Sequence, residues 1–210
     1  SGDTVFVHSA LVSLGSFSGG GFAELTGIFF DEIINIIGQT GTLVVPTFTL
    51  SFCDGNIFDQ DNTASENMGE FSEYVRMRSN AFRTLHPMQS VAAVGKYAEE
   101  LSNKDTESAF DIGGPFDFMI NLDSKVMLLG ASIRYNSCIH YSELHANVPY
   151  RYFKNFTGEC IVNGQREKKT YKMHVRQLDP KPFFDQTIIT NNELMKNYVI
   201  SNQIGAGRIK

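Results

Sequence analysis

Apolar positions along the chain fall into short blocks with two different periods, and the blocks lay out an alternation of strands and helices. Residues 4–7 form a β-rich run closed by His8, Ser9, Ala10 and Leu11. Residues 15–21 are glycine-rich. From 23 to 37, apolar side chains then recur at helical spacing through Leu25, Ile28, Phe29, Ile33, Ile36 and Ile37. Residues 41–46 read as a buried strand ended by Pro46, and 47–52 as an extended, hydroxyl-bearing segment. Residues 53–67 are rich in Asp and Asn with no apolar period, which predicts a long surface loop. A short helix is expected over 68–76 with Phe71, Tyr74 and Val75 inward, and an inner strand over 90–94. A helical turn over 96–101, a turn at 111–116, a helix over 116–122 and a strand over 126–131 follow.

Beyond Tyr150 the character changes. Residues 151–154 are basic and aromatic, and 160–175 alternate around Asn163 and Gly164, a pair suited to a type I′ hairpin turn. A late helix is expected over 191–197, and residues 204–209 close the chain. No repeat or linker interrupts the 210 residues. The pattern therefore predicts one α/β domain over 1–210, with a core over 1–149 and a β-hairpin extension over 150–210. Four apolar strands alternating with helices favour a largely parallel central sheet.

Composition narrows the function without naming it. Hydrophobic residues at 42% and charged residues at 20% describe a globular chain able to build a core. A net charge of −5 argues against a nucleic-acid backbone as partner. No apolar run is long enough to cross a membrane. The start at Ser1, directly before a strand and without a signal segment or initiator Met, reads as a cut N-terminus of a longer protein. Three cysteines, Cys53, Cys138 and Cys160, without C-x-x-C spacing, fit reduced thiols in a cytoplasmic protein rather than a zinc site.

Chemistry concentrates at 136–143, just past the strand over 126–131. In open α/β sheets, ligands gather at such strand ends. If the stretch opens a helix, His140 and Glu143 share a face. An imidazole held by a carboxylate suits proton removal near neutral pH; the alternative is a strand cap with an incidental surface histidine. Cys138 is either a nucleophile or a small side chain filling space. The glycine-rich turn before the first helix is either a phosphate cradle or a plain turn, because neither a nucleotide-triphosphate loop nor a dinucleotide fingerprint is present.

Four blocks, taken together, resemble the aminoglycoside 3-N-acetyltransferases. They are residues 2–11 with Gly15; residues 41–49; Met68, Gly69, Glu70, Glu73 and Arg76 with residues 83–87 and 90–95; and residues 126–130 with Ile139, His140 and Glu143. The blocks stand in the family's order and cover residues 2–143. The resemblance implies a three-layer α/β/α fold with a central largely parallel or mixed sheet. It also implies transfer of an acetyl or related acyl group from CoA to an amine, directly and without a metal. His140 would be the general base and Glu143 its orienter. CoA would lie along His8, Ser9, Ala10, Leu11 and Gly15, with Arg83, Thr84 and Ser90 as further contacts, and Glu70, Glu73, Arg134 and Tyr152 would meet the acceptor. Thr47, Thr49 or a backbone N–H would supply a donor to the thioester oxygen. His86 competes as base or forms a rigid corner before Pro87. His8 hydrogen-bonds its turn, and His145 and His174 lie at the surface or behind the site.

The resemblance implies a small amino sugar as acceptor, with two classes open. A polycationic antibiotic asks for an acidic pocket, which Asp54, Asp59 and Asp61 could supply. Arg134, Arg151 and Lys154 with nearby aromatics instead suit a nucleotide-linked amino sugar. Outside this class stand a Cys138–His140 hydrolase and a non-catalytic CoA- or nucleotide-binding module.

Overall fold

In a computed structural model, residues 1–15 and 21–178 are described, together with the backbone strands Asn202–Ile204 and Gly207–Ile209. The elements run β1 (Thr4–Ser9), α1 (Phe22–Ile37), β2 (Thr42–Pro46), β3 (Phe58–Asp59), α2 (Glu70–Arg76), β4 (Phe82–Arg83), β5 (Val91–Gly95) and α3 (Ala98–Ser102). They continue with α4 (Pro115–Asn121), β6 (Lys125–Leu129), α5 (Ile139–His145), β7 (Arg151–Val162), β8 (Gln165–Arg176), β9 (Asn202–Ile204) and β10 (Gly207–Ile209). Residues 16–20 of the glycine-rich turn and the late helix expected over 191–197 lie outside the described residues.

Seven strands form the main sheet in the order β4-β5-β2-β1-β6-β10-β9. Strand β1 is parallel to both neighbours, with Phe6 opposite Val44 and Val126. β5, β4 and β10 run antiparallel to theirs. Of the two sheets foreseen, the mixed one is found and the largely parallel one is not. The reason is local: after β2 the chain wanders through residues 47–90 but returns to the edge it left, where Thr47 N–H donates to Ser90 O at 2.8 Å. A strand starting there runs back against β2.

Side chains alternate across a strand, so each inner strand feeds two cores. Val5, Val7, Leu43 and Val45 face a buried layer shared with Phe71 and Val75 of α2 and with Ile33 and Ile37 of α1. Phe6, Val44 and Ala93 face the other, closed by α3, α4 and the inward side of α5. The result is the expected α/β/α stack. Helix α1 buries Leu25, Ile33 and Ile37, but Ile28 and Ile36, which the helical period also marks as apolar, stand exposed.

A second sheet, β3-β7-β8, packs over Phe52, Phe58, Met88, Cys160 and Tyr171. Its long hairpin turns at Asn163 (φ 51°) and Gly164 (φ 75°), both left-handed, as a type I′ turn requires. Pairing extends from Arg151 opposite Arg176 to the tip, so the basic, aromatic residues 151–154 belong to the strand. Among the described residues no helix is long and apolar enough to cross a membrane.

Candidate active site

Strands β1, β2 and β6 are parallel and end at one edge of the sheet. The chain leaves β1 toward α1 on one face and leaves β6 toward α5 on the other. Divergence of neighbouring connections opens a crevice at the carboxyl ends of the strands. A cavity of about 560 Å³ lies there, lined by residues 8–12, Pro46, Phe48, residues 67–70, Ala131, residues 134–137 and His140.

Gly130 allows the two turns to meet. Its φ is +70°, and a Cβ there would stand 2.7 Å from Ala10 O and 2.6 Å from Ser13 Oγ. Only a residue without a side chain permits that approach. Beyond it, Asn136 Oδ1 accepts from Cys138 N–H at 3.0 Å and starts α5. Positions 140 and 143 then share a face, and His140 Nδ1 lies 2.7 Å from Glu143 Oε2. With Nδ1–H donated to the carboxylate, Nε2 remains as the basic nitrogen. Phe110 meets the imidazole edge to face at 5.7 Å between ring centres.

Glu143 is held by a segment that the sequence reading did not connect to it. Tyr150 O–H donates to Oε1 at 3.0 Å, and Arg151 Nε forms an ion pair with Oε2 at 2.7 Å. Burial raises the Glu143 pKa, but the His140 hydrogen bond, the Arg151 charge and the Tyr150 hydroxyl outweigh it and hold the carboxyl below its usual range. His8 also lines the cavity. Its Nε2 accepts from Ser137 N–H at 3.4 Å, and burial lowers its pKa to about 4.

Of the expected CoA contacts, His8, Ser9, Ala10 and Leu11 line the cavity; Gly15 ends the 3₁₀ turn beside it. Arg83, Thr84 and Ser90 do not, which corrects that expectation. All three are buried, and their polar groups are engaged elsewhere. Arg83 donates to Thr47 O and Thr63 O, both at 2.5 Å, and to Thr49 Oγ1 at 3.0 Å; Thr84 Oγ1 accepts from Val91 N–H at 2.9 Å. Ser90 Oγ donates to Thr47 O at 2.6 Å. The Thr47 and Thr49 hydroxyls offered as oxyanion donors accept from Arg83; Thr49 Oγ1 donates to Ala64 O at 3.5 Å, Thr47 Oγ1 lies 3.0 Å from Ser90 Oγ, and neither residue lines the cavity. Burial, with the like charge of Arg76, lowers the Arg83 pKa to about 9 against the opposing pull of Glu73, Asp59 and Asp61.

Of the expected acceptor contacts, Glu70 and Arg134 border the cavity. Glu73 does not; it faces a smaller hollow with Ala23, Thr26 and Tyr74. Burial works to raise its pKa, yet bonds from Arg76 and Ser65 bring it to about 2. Tyr152 is half exposed on β7 and stands away from the lining residues, as does Lys154, which covers the Phe156 ring. The Asp-rich loop does not line the cavity: Asp59 accepts from the Asp61 and Asn62 N–H groups, both at 3.0 Å. His86 is buried, with Nε2 3.2 Å from Lys172 O, and is a structural corner. His174 is buried behind the dyad rather than at the surface.

The Cys138–His140 pair is also corrected. Two positions apart on a helix point about 200° apart, and the Cys138 thiol packs against the core beneath α4. Burial pushes its pKa up to about 12. Such a thiol is not a nucleophile at neutral pH.

The family model described as Aminoglycoside 3-N-acetyltransferase matches residues 6–200. The chain is 28% identical over 194 residues to the SPbeta prophage-derived aminoglycoside N(3')-acetyltransferase-like protein YokD of Bacillus subtilis, covering 81% of this chain and 68% of that protein. Among solved structures it resembles aminoglycoside acetyltransferase AAC(3)-Xa, at 26% identity and a TM-score of 0.79 over 99% of this chain and 81% of that one. The fold also matches AAC-IIIb in a binary complex with CoASH, at 17% identity and a TM-score of 0.80 over 99% and 84% of the two chains. The chain spans between 57% and 68% of the length of the curated relatives it matches.

Proposed function

Because the chain belongs to the aminoglycoside 3-N-acetyltransferase family, we propose that it moves an acetyl group from CoA to an amine of an amino sugar, with His140 as general base. The observation that carries this reading is the His140–Glu143 pair, 2.7 Å apart, on the wall of a cavity at the strand ends. Acetyl-CoA supplies an acetyl thioester. The acceptor ammonium gives one proton to water, freeing the lone pair that attacks the thioester carbonyl; as the C–N bond forms and the C–S bond breaks, His140 Nε2 takes the second proton from that nitrogen and passes it to the departing sulfur. Glu143 holds the tautomer and balances the transient imidazolium.

The residues present fit such a donor. Leu11, Val12, Pro46 and Phe48 offer an apolar wall for a pantetheine arm, and Arg134 offers a cation for phosphate. Among the described lining residues Glu70 is the one carboxylate, and it suits an ammonium of an aminoglycoside. A nucleotide-linked amino sugar is the second reading, favoured by Arg134 alone, since Arg151 is engaged with Glu143. The free thiols of Cys53, Cys138 and Cys160 support a cytoplasmic setting.

The test is thiol release from acetyl-CoA against a panel of both acceptor classes. Transfer to one class, reduced about 10²–10⁴-fold in His140→Ala with CoA binding retained, is the expected result. A His140→Ala rate within about threefold of native would remove the base assignment. CoA binding without transfer to any amine would favour the binding-module reading.

A further inference from the structure

The Glu143 carboxylate has more partners than an orienting role needs. A carboxylate 2.7 Å from an imidazole stabilises the imidazolium, and a base already protonated cannot accept a proton. The remedy lies on the other side of the carboxylate. Arg151 Nε stands 2.7 Å from the same Oε2, with its side chain only 7% exposed, so water screens its charge little. It is also fixed in place, because Arg151 Nη1 donates to His174 O at 2.8 Å across the hairpin.

Resting on the acetyltransferase reading above, we infer that Arg151 is a positioning residue, which fixes Glu143 and offsets the pull of its charge on the His140 ring. The charged and titratable groups around the imidazole fall in three sets. Glu143 lies on its own helix. Tyr150, Arg151 and His174 come from the hairpin, with Arg176 near Tyr150. Glu70, Arg134 and His8 line the cavity. Among the described residues, Glu143 hydrogen-bonds the His140 ring, Tyr150 hydrogen-bonds Glu143, and Arg151 Nε, which has no hydrogen-bond partner of its own, meets that carboxylate through charge. Burial and the nearby Arg151 charge lower the pKa of His174, so it adds no cation of its own at neutral pH.

A mere strap between hairpin and helix predicts something different. Loss of a strap scales activity at every pH, whereas loss of an offsetting charge moves the titration of His140. The experiment follows the His140 ring by NMR across pH in native protein, Arg151→Gln, Arg151→Met and Arg151→Lys, with His140→Gln to assign the signal. The acid limb of kcat/KM is read beside it. We expect the neutral variants to raise the midpoint, and the acid limb with it, by about one pH unit, and Arg151→Lys to stay within about 0.3 unit of native. A midpoint in either folded neutral variant within about 0.3 unit of native overturns the inference. Should neither neutral variant fold, Arg151→Lys carries the test: a rise beyond about 0.3 unit despite the retained charge overturns it. Absence of transfer by the native protein would fail the acetyltransferase reading instead, and the NMR comparison would still decide the role of Arg151.

Discussion

Arg83 separates two accounts of one residue, a phosphate ligand or a buried keystone, and Arg83→Met tells them apart. The guanidinium makes six contacts: Nε to Thr47 Oγ1 and Ser90 Oγ, Nη1 to Thr63 O and Gln60 O, and Nη2 to Thr47 O and Thr49 Oγ1. Thr47 O keeps Ser90 as a donor when the guanidinium is removed, but Arg83 is the side-chain donor to the carbonyls of Thr63 and Gln60. A buried acceptor left unpaired costs about 1–3 kcal/mol, and the stacking of the guanidinium on Phe58 is lost as well. Against this, the desolvation cost of a cation without a touching carboxylate is returned. The balance is a loss of about 2–4 kcal/mol. For a chain of this size each kcal/mol moves Tm by about 2–4 °C, so the midpoint should fall by about 4–16 °C. CoA affinity, measured by calorimetry below the melt, should change less than about threefold. A Tm within about 1 °C of native, combined with a tenfold or greater loss of CoA affinity, would refute the keystone account and restore the phosphate ligand.

Acid should weaken the fold early. Burial sets both His8 and His86 at about 4, below their unfolded value, so their contribution is complete above pH 6.5 and is lost as pH falls toward 4. Each ring costs about 2 kcal/mol between pH 7 and pH 5; calorimetry should show Tm falling over that window, and a flat or rising Tm would contradict the burial of neutral rings. Gly130→Ala should lower Tm by several degrees, from about 1–3 kcal/mol of backbone strain, and raise KM by displacing Ala10; an unchanged melt and KM would argue against the close approach of the two turns. Cys138→Ala should keep kcat within about twofold while costing about 1 kcal/mol of stability from the thinned core. A hundredfold loss of kcat there would revive the thiol as a nucleophile.

How much of this was legible depends on the range of the forces involved. The hairpin turn could be read because Asn163 and Gly164 adopt left-handed φ for local reasons, and the His140–Glu143 pair because helical spacing places it. The direction of β5 could not, since it follows from where residues 47–90 return. Nor could Ile28 and Ile36 be told from the buried positions of α1, because a helical period marks an apolar stripe wider than the sheet covers. Family resemblance offered Arg83, Thr84 and Ser90 as CoA contacts, whereas burial ties their polar groups into a network behind the strands, which no local pattern reveals. Tyr150 and Arg151 were beyond reach as a brace, because their partner Glu143 lies on another element and no spacing rule links a helix to the strand that follows it.

The pairing of β10 with β6 has a consequence for how the chain is made. Ile209 sits opposite Leu129, about 80 residues later in synthesis. At about 5–20 residues per second, β6 waits about 4–16 s on the ribosome for its second neighbour. During that interval its outer edge, next to the turn that leads to His140, presents unpaired N–H and C=O groups, an open template for another chain. Chains halted before residue 207 would carry the whole described cavity lining and still expose that edge, and their characteristic fault would be self-association rather than faulty chemistry.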